Sequence, residues 1–420
     1  MTSVAPTPGY RHRLAEASIA SSLDAVGAVV VEGPRACGKT WTARQFAASE
    51  VLFDGSDEQR LAFAVDPSRI LDGPTPRLLD EWHLVPTTWN AMRRACDDRR
   101  DKGIFLLTGS AVPPDDITRH SGAGRVRRVR MRTMTLVESG HSTGEVSIAS
   151  MLRGEPVSAA KPAVAFEDVV ECAVRGGWPG LADLSPTAAQ DNLSAYLDEI
   201  ARTDVARVDE VRRDRAGVSA LIRSLARNVA SEAGYSTLAD DADLDRATVK
   251  AYLEALERLF VAEHAPAWQP RLMSRVPLRQ APKRFFVDPS LAAAALESGV
   301  ERLRSELNYF GLVFENLVMR DLQVYADASG AGVHHYRDKS GLEADAIVQR
   351  RSDGAWLAIE TKLGGIEAID RAAESLLRLQ RTVDTSRIGP PTQLLVLTST
   401  GYGYQRPDGV AVAPITTLGP

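Results

Sequence analysis

The feature that most limits how this chain folds is residues 29–46, "VVVEGPRACGKTWTARQF". A short valine run bounded by glycine reads as a strand buried on both faces of a parallel sheet. The loop after it, Gly33, Pro34, Arg35, Ala36, Cys37, Gly38, Lys39 and Thr40, fits the G-x-x-x-x-G-K-[ST] pattern and is followed by a helix-forming segment that begins with Trp41. Glycines at these positions let successive backbone N–H groups curl around phosphate oxygens, and the helix N-terminus adds a favourable dipole. Lys39 is expected to reach the β- and γ-phosphates and Thr40 to offer its hydroxyl to Mg²⁺, with Cys37 a small filler inside the loop. Such a unit requires further parallel strands and helices around it, so residues 1–140 are expected to form an α/β domain.

The companion strands are visible. "RLLDEWHLVP" (77–86) is an apolar run ending in Asp80 and Glu81, which places a metal-shell carboxylate at Asp80 and, at Glu81, one that can orient the attacking water and accept its proton. "FLLTGS" (105–110) brings Thr108 and Ser110 to a strand's carboxyl end, where open α/β sheets bind ligands. In "GAGRVRRVRMRT" (122–133) a period of two puts Arg128, Arg130 and Arg132 on one strand face, a solvated edge or a strip of phosphate contacts, with Arg125 the choice for an arginine finger.

Together with the later "RGGWPGL" (175–181), these motifs resemble the prokaryotic P-loop ATPases of the AAA superfamily that carry a C-terminal domain of unknown function related to restriction-endonuclease-like folds. The resemblance spans most of the chain, and it implies ATP as ligand, Mg²⁺ as cofactor and an ATPase activity. Relatives carry an Ile-Gln pair after the Asp-Glu, where this chain has Trp82 and His83. Trp178 in "RGGWPGL" is read as a packed aromatic, with an interdomain hinge as the sharper alternative.

Residues 141–235 read as a linker followed by amphipathic helices. In the winged-helix-like segment, 236–305, Asp245 is placed to cap the second helix of a helix-turn-helix. That helix balances Arg246, Lys250 and Arg258 against Asp245, Glu254 and Glu257, so it favours packing over groove reading. From 306 to 420 the order is helix, three strands, helix, strand. Asp345 in "LEADAIVQR", Glu360 and Lys362 in "AWLAIETKL", and Glu315 on the preceding helix can meet at one sheet edge, where two carboxylates suit Mg²⁺ and a lysine positions water. Element order and charges resemble the nuclease fold of restriction enzymes. The same charges also make an ion-pair lattice, so an active and an inert nuclease-like module both remain open. The pair His334 and His335 falls on opposite faces of one strand and cannot jointly chelate.

Composition narrows the function classes. No apolar run approaches a membrane span, and the start has no signal-peptide core, so the cytoplasm is the expected location. Three scattered cysteines show no metal-ligand spacing. Net charge is -5, and residues 309–420 hold 11 Lys and Arg against 13 Asp and Glu, so no general positive field attracts a nucleic acid. Only seven of the 50 basic residues are lysines, which gives each lysine in a motif added weight. The fold class expected is α/β: a P-loop AAA-type parallel-sheet domain, a helical and winged-helix-like middle, and a C-terminal αβββαβ nuclease-like domain. The function expected is Mg²⁺-dependent ATP hydrolysis controlling that last domain in DNA processing, with DNA as partner. The alternative is an ATP-switched binding or regulatory protein with an inert module. Oligomeric state cannot be derived from the sequence.

Overall fold

The computed structural model describes residues 9–55, 61, 65–110, 122–205, 213–269, 281–386 and 388–420. It divides into two units, one of Met1–Thr133, Thr203–Arg212 and Glu254–Val261, the other of Met134–Arg202, Arg213–Leu253 and Ala262–Pro420.

In the first unit the valine run forms strand β1 (Ala28–Glu32), preceded by helix α1 (Ala15–Leu23) and followed across the glycine loop by α2 (Lys39–Arg44). Next come β2 (Ser49–Leu52), α3 (Pro67–Leu71), β3 (Arg77–Asp80), α4 (Thr87–Arg99), β4 (Phe105–Gly109) and β5 (Val126–Arg130). The five strands are parallel in the order β2-β3-β4-β1-β5. The alternation of a strand explains why β1 is apolar throughout. Val30 faces a cluster with Leu79, Phe105, Leu107 and the α4 residues Trp89, Met92 and Cys96. Val29 and Val31 face Leu78, Leu106, Val129 and the α1 residues Ile19 and Leu23 on the other side. Each such side chain contributes about 1.5–3 kcal/mol when fully buried. β1 is therefore fixed from both faces, and so is the loop that leaves it.

In the second unit the first element is β6 (Val146–Ser147), followed by α5 (Ile148–Leu152), α6 (Phe166–Arg175) and α7 (Pro186–Glu199). α8 (Arg215–Arg227), α9 (Tyr235–Ala242) and α10 (Arg246–Arg258), whose residues from Glu254 on are counted with the first unit, complete the helical middle. Asp245 caps α10 by accepting from the N–H groups of Ala247 and Thr248, both at 2.9 Å. Strands β7 (Ala262–Ala265) and β8 (Lys283–Phe286) pair antiparallel; residues 270–280 of the winged-helix-like segment lie outside the described residues. Helices α11 (Pro289–Ala295), α12 (Val300–Ser305) and the long α13 (Leu307–Ala328) lead to β9 (Ala331–Arg337), β10 (Glu343–Arg350), β11 (Trp356–Lys362), α14 (Ile366–Thr382) and β12 (Gln393–Thr398). This is the expected αβββαβ order, extended by the short strands β13 (Tyr404–Gln405), β14 (Ala411–Pro414) and β15 (Leu418–Gly419). The six-stranded sheet is mixed, in the order β13-β14-β12-β11-β10-β9. β11 and β12 run parallel and so need a crossover, which α14 supplies by burying Ala372, Ala373, Leu376 and Leu379 against Trp356, Ala358 and Val396.

Two segments of the second unit are placed by contacts distant in sequence, and the second of them matches its reading as a packed aromatic. Within the stretch read as linker, β6 pairs with β15, Thr143 N–H donates to Thr416 O at 2.9 Å, and Ala159 bonds Gly403. Strands of two residues have too little periodicity to be seen in a sequence. Trp178 is buried and its indole N–H donates to Ser290 Oγ at 3.1 Å, while a Cβ on Gly177 would lie 2.0 Å from Met134 O. This is a packed node. It also holds the buried Arg320, whose guanidinium lies 3.2 Å from Asp288 and 2.7 Å from Asp321.

Candidate nucleotide site and a second charged cluster

The loop begins at Gly33, where a Cβ would sit 2.0 Å from the Met131 carbonyl oxygen, so only glycine fits. Ala36 and Gly38 take φ of 59° and 100°, the left-handed steps by which a short loop curls on itself. Arg13 braces the curl from outside, donating to Cys37 O at 2.7 Å and Arg132 O at 2.8 Å. Cys37 is fully buried, in keeping with a filler role. The buried Lys39 ammonium donates to the carbonyls of Gly33 at 3.0 Å and Pro34 at 2.7 Å. These neutral acceptors hold the lysine over the loop and leave its charge for an anion.

From Thr40 a chain of hydrogen bonds crosses the carboxyl ends of three strands. Thr40 Oγ1 donates to Asp80 Oδ1 at 2.8 Å, and the Thr108 hydroxyl donates to the same oxygen. Thr108 in turn accepts from Glu81 N–H at 3.2 Å, while Glu81 Oε1 accepts from Ser110 Oγ at 2.8 Å. Glu81 has φ of 51°, the left-handed conformation, at the point where the chain turns out of β3. Its other oxygen lies 3.3 Å from His83 Nδ1. Burial pushes the Asp80 carboxyl above its ordinary range, and the two threonine hydroxyls pull it back. Burial holds His83 below its usual value despite the nearby Glu81. A hydroxyl and a carboxylate oxygen 2.8 Å apart are the hard donors that Mg²⁺ prefers, so Thr40 and Asp80 fit its shell.

The remaining expected residues are placed as follows. Trp41 sits in the first turn of α2, 48% exposed, with the Arg44 guanidinium 5.1 Å from its ring. Arg35 reaches out of the loop to the buried Asp204 at 2.8 Å. Arg125 lies away from the loop. Its carbonyl accepts from Ala28 N–H and its guanidinium pairs with Asp97, which puts it at the amino edge of the sheet, four residues or about 13 Å of strand from the loop that leaves Glu32. β5 ends at Arg130, so Arg132 does not share its face; Arg128 pairs with Glu32 at 2.8 Å and Arg130 stacks over Phe260 at 3.8 Å.

The second cluster lies on the C-terminal sheet and brings together Glu315, Asp345, Glu360 and Lys362 as expected, with one member unforeseen. Lys283, the first residue of β8, contacts Glu315 Oε1 and lies 3.1 Å from Asp345 Oδ1. The other Asp345 oxygen accepts from Thr361 N–H at 2.8 Å and Thr361 Oγ1 at 2.9 Å, and Lys362 donates to Glu360 at 2.8 Å. Burial, reinforced by the charge of Asp345, pushes Glu315 and Glu360 each up to about 8. Asp345 itself stays below its ordinary value because, against burial, Lys283, Lys362 and the Thr361 bonds favour its ionised form. Among the described residues no group of three or more His, Cys, Asp or Glu is arranged to hold a metal ion. With the Lys283 ammonium lying against both Glu315 and Asp345, these carboxylates do not fit Mg²⁺ as they stand. The rarity of lysine was the one signal that could have drawn attention to Lys283.

A parallel sheet with a glycine-rich loop of the phosphate-binding pattern after β1 and an Asp-Glu pair at the carboxyl end of β3 defines a P-loop fold of the AAA type. Residues 26–139 match the family model described as AAA domain. Residues 166–302 and 310–418 match two families described as domains of unknown function, DUF8612 and DUF4143. A comparison with curated proteins finds no match. Among solved structures, a Walker-type ATPase of Pyrococcus abyssi is 12% identical over 67% of this chain and 94% of its own, with a TM-score of 0.42. AMPPCP-bound DnaA from Aquifex aeolicus is 13% identical over 60% and 89%, with a TM-score of 0.22. The replication initiator DnaA bound to AMPPCP and single-stranded DNA is 10% identical over 58% and 86%, with a TM-score of 0.25. No helix among the described residues is long and apolar enough to cross a membrane.

Proposed function

We propose that this chain is a Mg²⁺-dependent ATP-binding and hydrolysing protein whose nucleotide state governs its C-terminal domain. The observation that carries this reading is the hydrogen-bonded line from Thr40 through Asp80 and Thr108 to Glu81 and Ser110, with Lys39 held over the loop beside it. In this reading the backbone N–H groups of the loop 33–40, Pro34 excepted, bind the phosphates, and Lys39 exchanges its two carbonyl partners for phosphate oxygens. Thr40 and Asp80 would hold Mg²⁺, which when bound neutralises charge on the β- and γ-phosphates. Glu81, oriented by Ser110 and His83, accepts the proton of the attacking water. Loss of the γ-phosphate removes contacts made by Lys39 and Thr108, and that difference is what biases the C-terminal domain.

Two uses of that domain follow, ATP-controlled cleavage of DNA and an inert module in an ATP-switched regulatory protein. The second is favoured, because an ammonium from Lys283 already lies against Glu315 and Asp345. The test is ATP binding and turnover in Lys39→Ala and Glu81→Gln, beside a nuclease assay with Mg²⁺ and Mn²⁺. Lys39→Ala is expected to lose binding, and Glu81→Gln to bind ATP without turnover. Unchanged turnover in both rejects the ATPase reading, and metal-dependent DNA cleavage by the wild type rejects the inert module.

A further inference from the structure

Lys283 enters the carboxylate cluster from outside the αβββαβ order. It opens β8, and so lies outside residues 310–418, which match one family, and inside 166–302, which match another. The three side chains are buried together, with exposures of 13% for Lys283, 10% for Glu315 and 11% for Asp345. Buried charges are stable only when paired and hydrogen-bonded, and here Lys283 hydrogen-bonds one oxygen of Asp345 and lies in ion-pair contact with Glu315, while Thr361 satisfies the other oxygen of Asp345. Glu360 is served separately by Lys362.

We propose that Lys283 is the resident cation of this cluster: it takes the position a divalent ion would need to bridge Glu315 and Asp345, and so excludes such an ion from the folded module. The inference deepens the inert-module reading and rests on it. A divalent ion entering beside the ammonium would meet like charge at contact distance with little water to screen it. Metal uptake therefore requires Lys283 to leave its two carboxylate partners. Conversely, removing this one charge leaves two carboxylates facing each other, an arrangement that either binds a cation or takes up a proton.

The test is Mn²⁺ titration followed by electron paramagnetic resonance and water-proton relaxation, on nucleotide-free protein in an Asp80→Asn background so that the loop site contributes nothing. The parent is expected to take up no Mn²⁺ through the millimolar range. Lys283→Met should gain about one Mn²⁺ per chain, at least about tenfold tighter than any uptake by the parent. Lys283→Arg should retain the exclusion, and Asp345→Asn added to Lys283→Met should abolish the gain. Stoichiometric uptake by the parent that Asp345→Asn removes would overturn the proposal. So would a Lys283→Met protein with a native near-ultraviolet circular dichroism spectrum and no gain. If Lys283→Met does not fold, the parent compared with Asp345→Asn decides the matter alone. Failure of ATP turnover is read at Lys39 and Glu81 and is distinguishable from every one of these outcomes.

Discussion

Replacing Thr108 by Val tests whether the line of hydrogen bonds is catalytic machinery or only a neat strand edge. Thr108 is fully buried, and valine keeps its branched outline while removing the hydroxyl. Two bonds are lost: the one to Asp80 Oδ1, which then has Thr40 alone on that oxygen, and the one from Glu81 N–H, which is left without that acceptor. A hydrogen bond to a charged group is worth about 1.5–3 kcal/mol. At about 1.36 kcal/mol per tenfold in rate, the full loss slows turnover by about 10- to 150-fold. The sign of the pH effect follows as well. Thr108 is one of the groups that lower the Asp80 pKa against burial, so without it the carboxylate ionises at higher pH and the acid limb of the rate profile moves up. Steady-state ATP turnover across pH, with urea unfolding to check the fold, reads both effects. A folded Thr108→Val protein with turnover within about twofold of wild type and an unmoved acid limb, beside an inactive Asp80→Asn, would falsify the assignment.

Three further outcomes are expected. Arg125→Ala should leave turnover in dilute solution unchanged and cost only about 0–1 kcal/mol of stability, the worth of an exposed ion pair; a fall of about a hundredfold or more would mean that Arg125 acts on a nucleotide after all. Arg320→Met leaves Asp288 and Asp321 as buried carboxylates without their shared cation and should destabilise the protein by about 3–5 kcal/mol in denaturant unfolding. Burial holds His335 at about 4 in the folded chain against an ordinary 6.5. The unfolded chain thus takes up this proton first, so stability is retained above pH 6.5, declines as pH falls through the interval and levels off below 4. About 3 kcal/mol is lost over that span, and His335→Gln should flatten the corresponding limb of an unfolding-versus-pH curve.

The phosphate loop was legible because its chemistry is local. Eight consecutive residues fix where the glycines, the lysine and the threonine fall, and flanking periodicity fixes a strand before and a helix after. The Asp80-Glu81 pair and Thr108 were legible for a related reason: each ends an apolar strand, and in a parallel sheet strand ends share one edge. Glu315, Asp345, Glu360 and Lys362 could be proposed together because the order of helix and strands constrains which faces meet.

What sequence left open depends on contacts between residues far apart in the chain. The spacing of "GAGRVRRVRMRT" shows which arginines alternate but not which edge of the sheet Arg125 occupies; the register of β5 beside β1 decides that. Nothing local marks Lys283 as a neighbour of Asp345, 62 positions away, because burial and ion pairing are properties of the folded interior. By itself the sequence pointed to a loop of the phosphate-binding pattern on a parallel sheet and to a separate αβββαβ module. Only the tertiary structure decided that an ammonium fills that module's carboxylate cluster, since the free energy of a buried charge is set by what surrounds it in space and not by what precedes it along the chain.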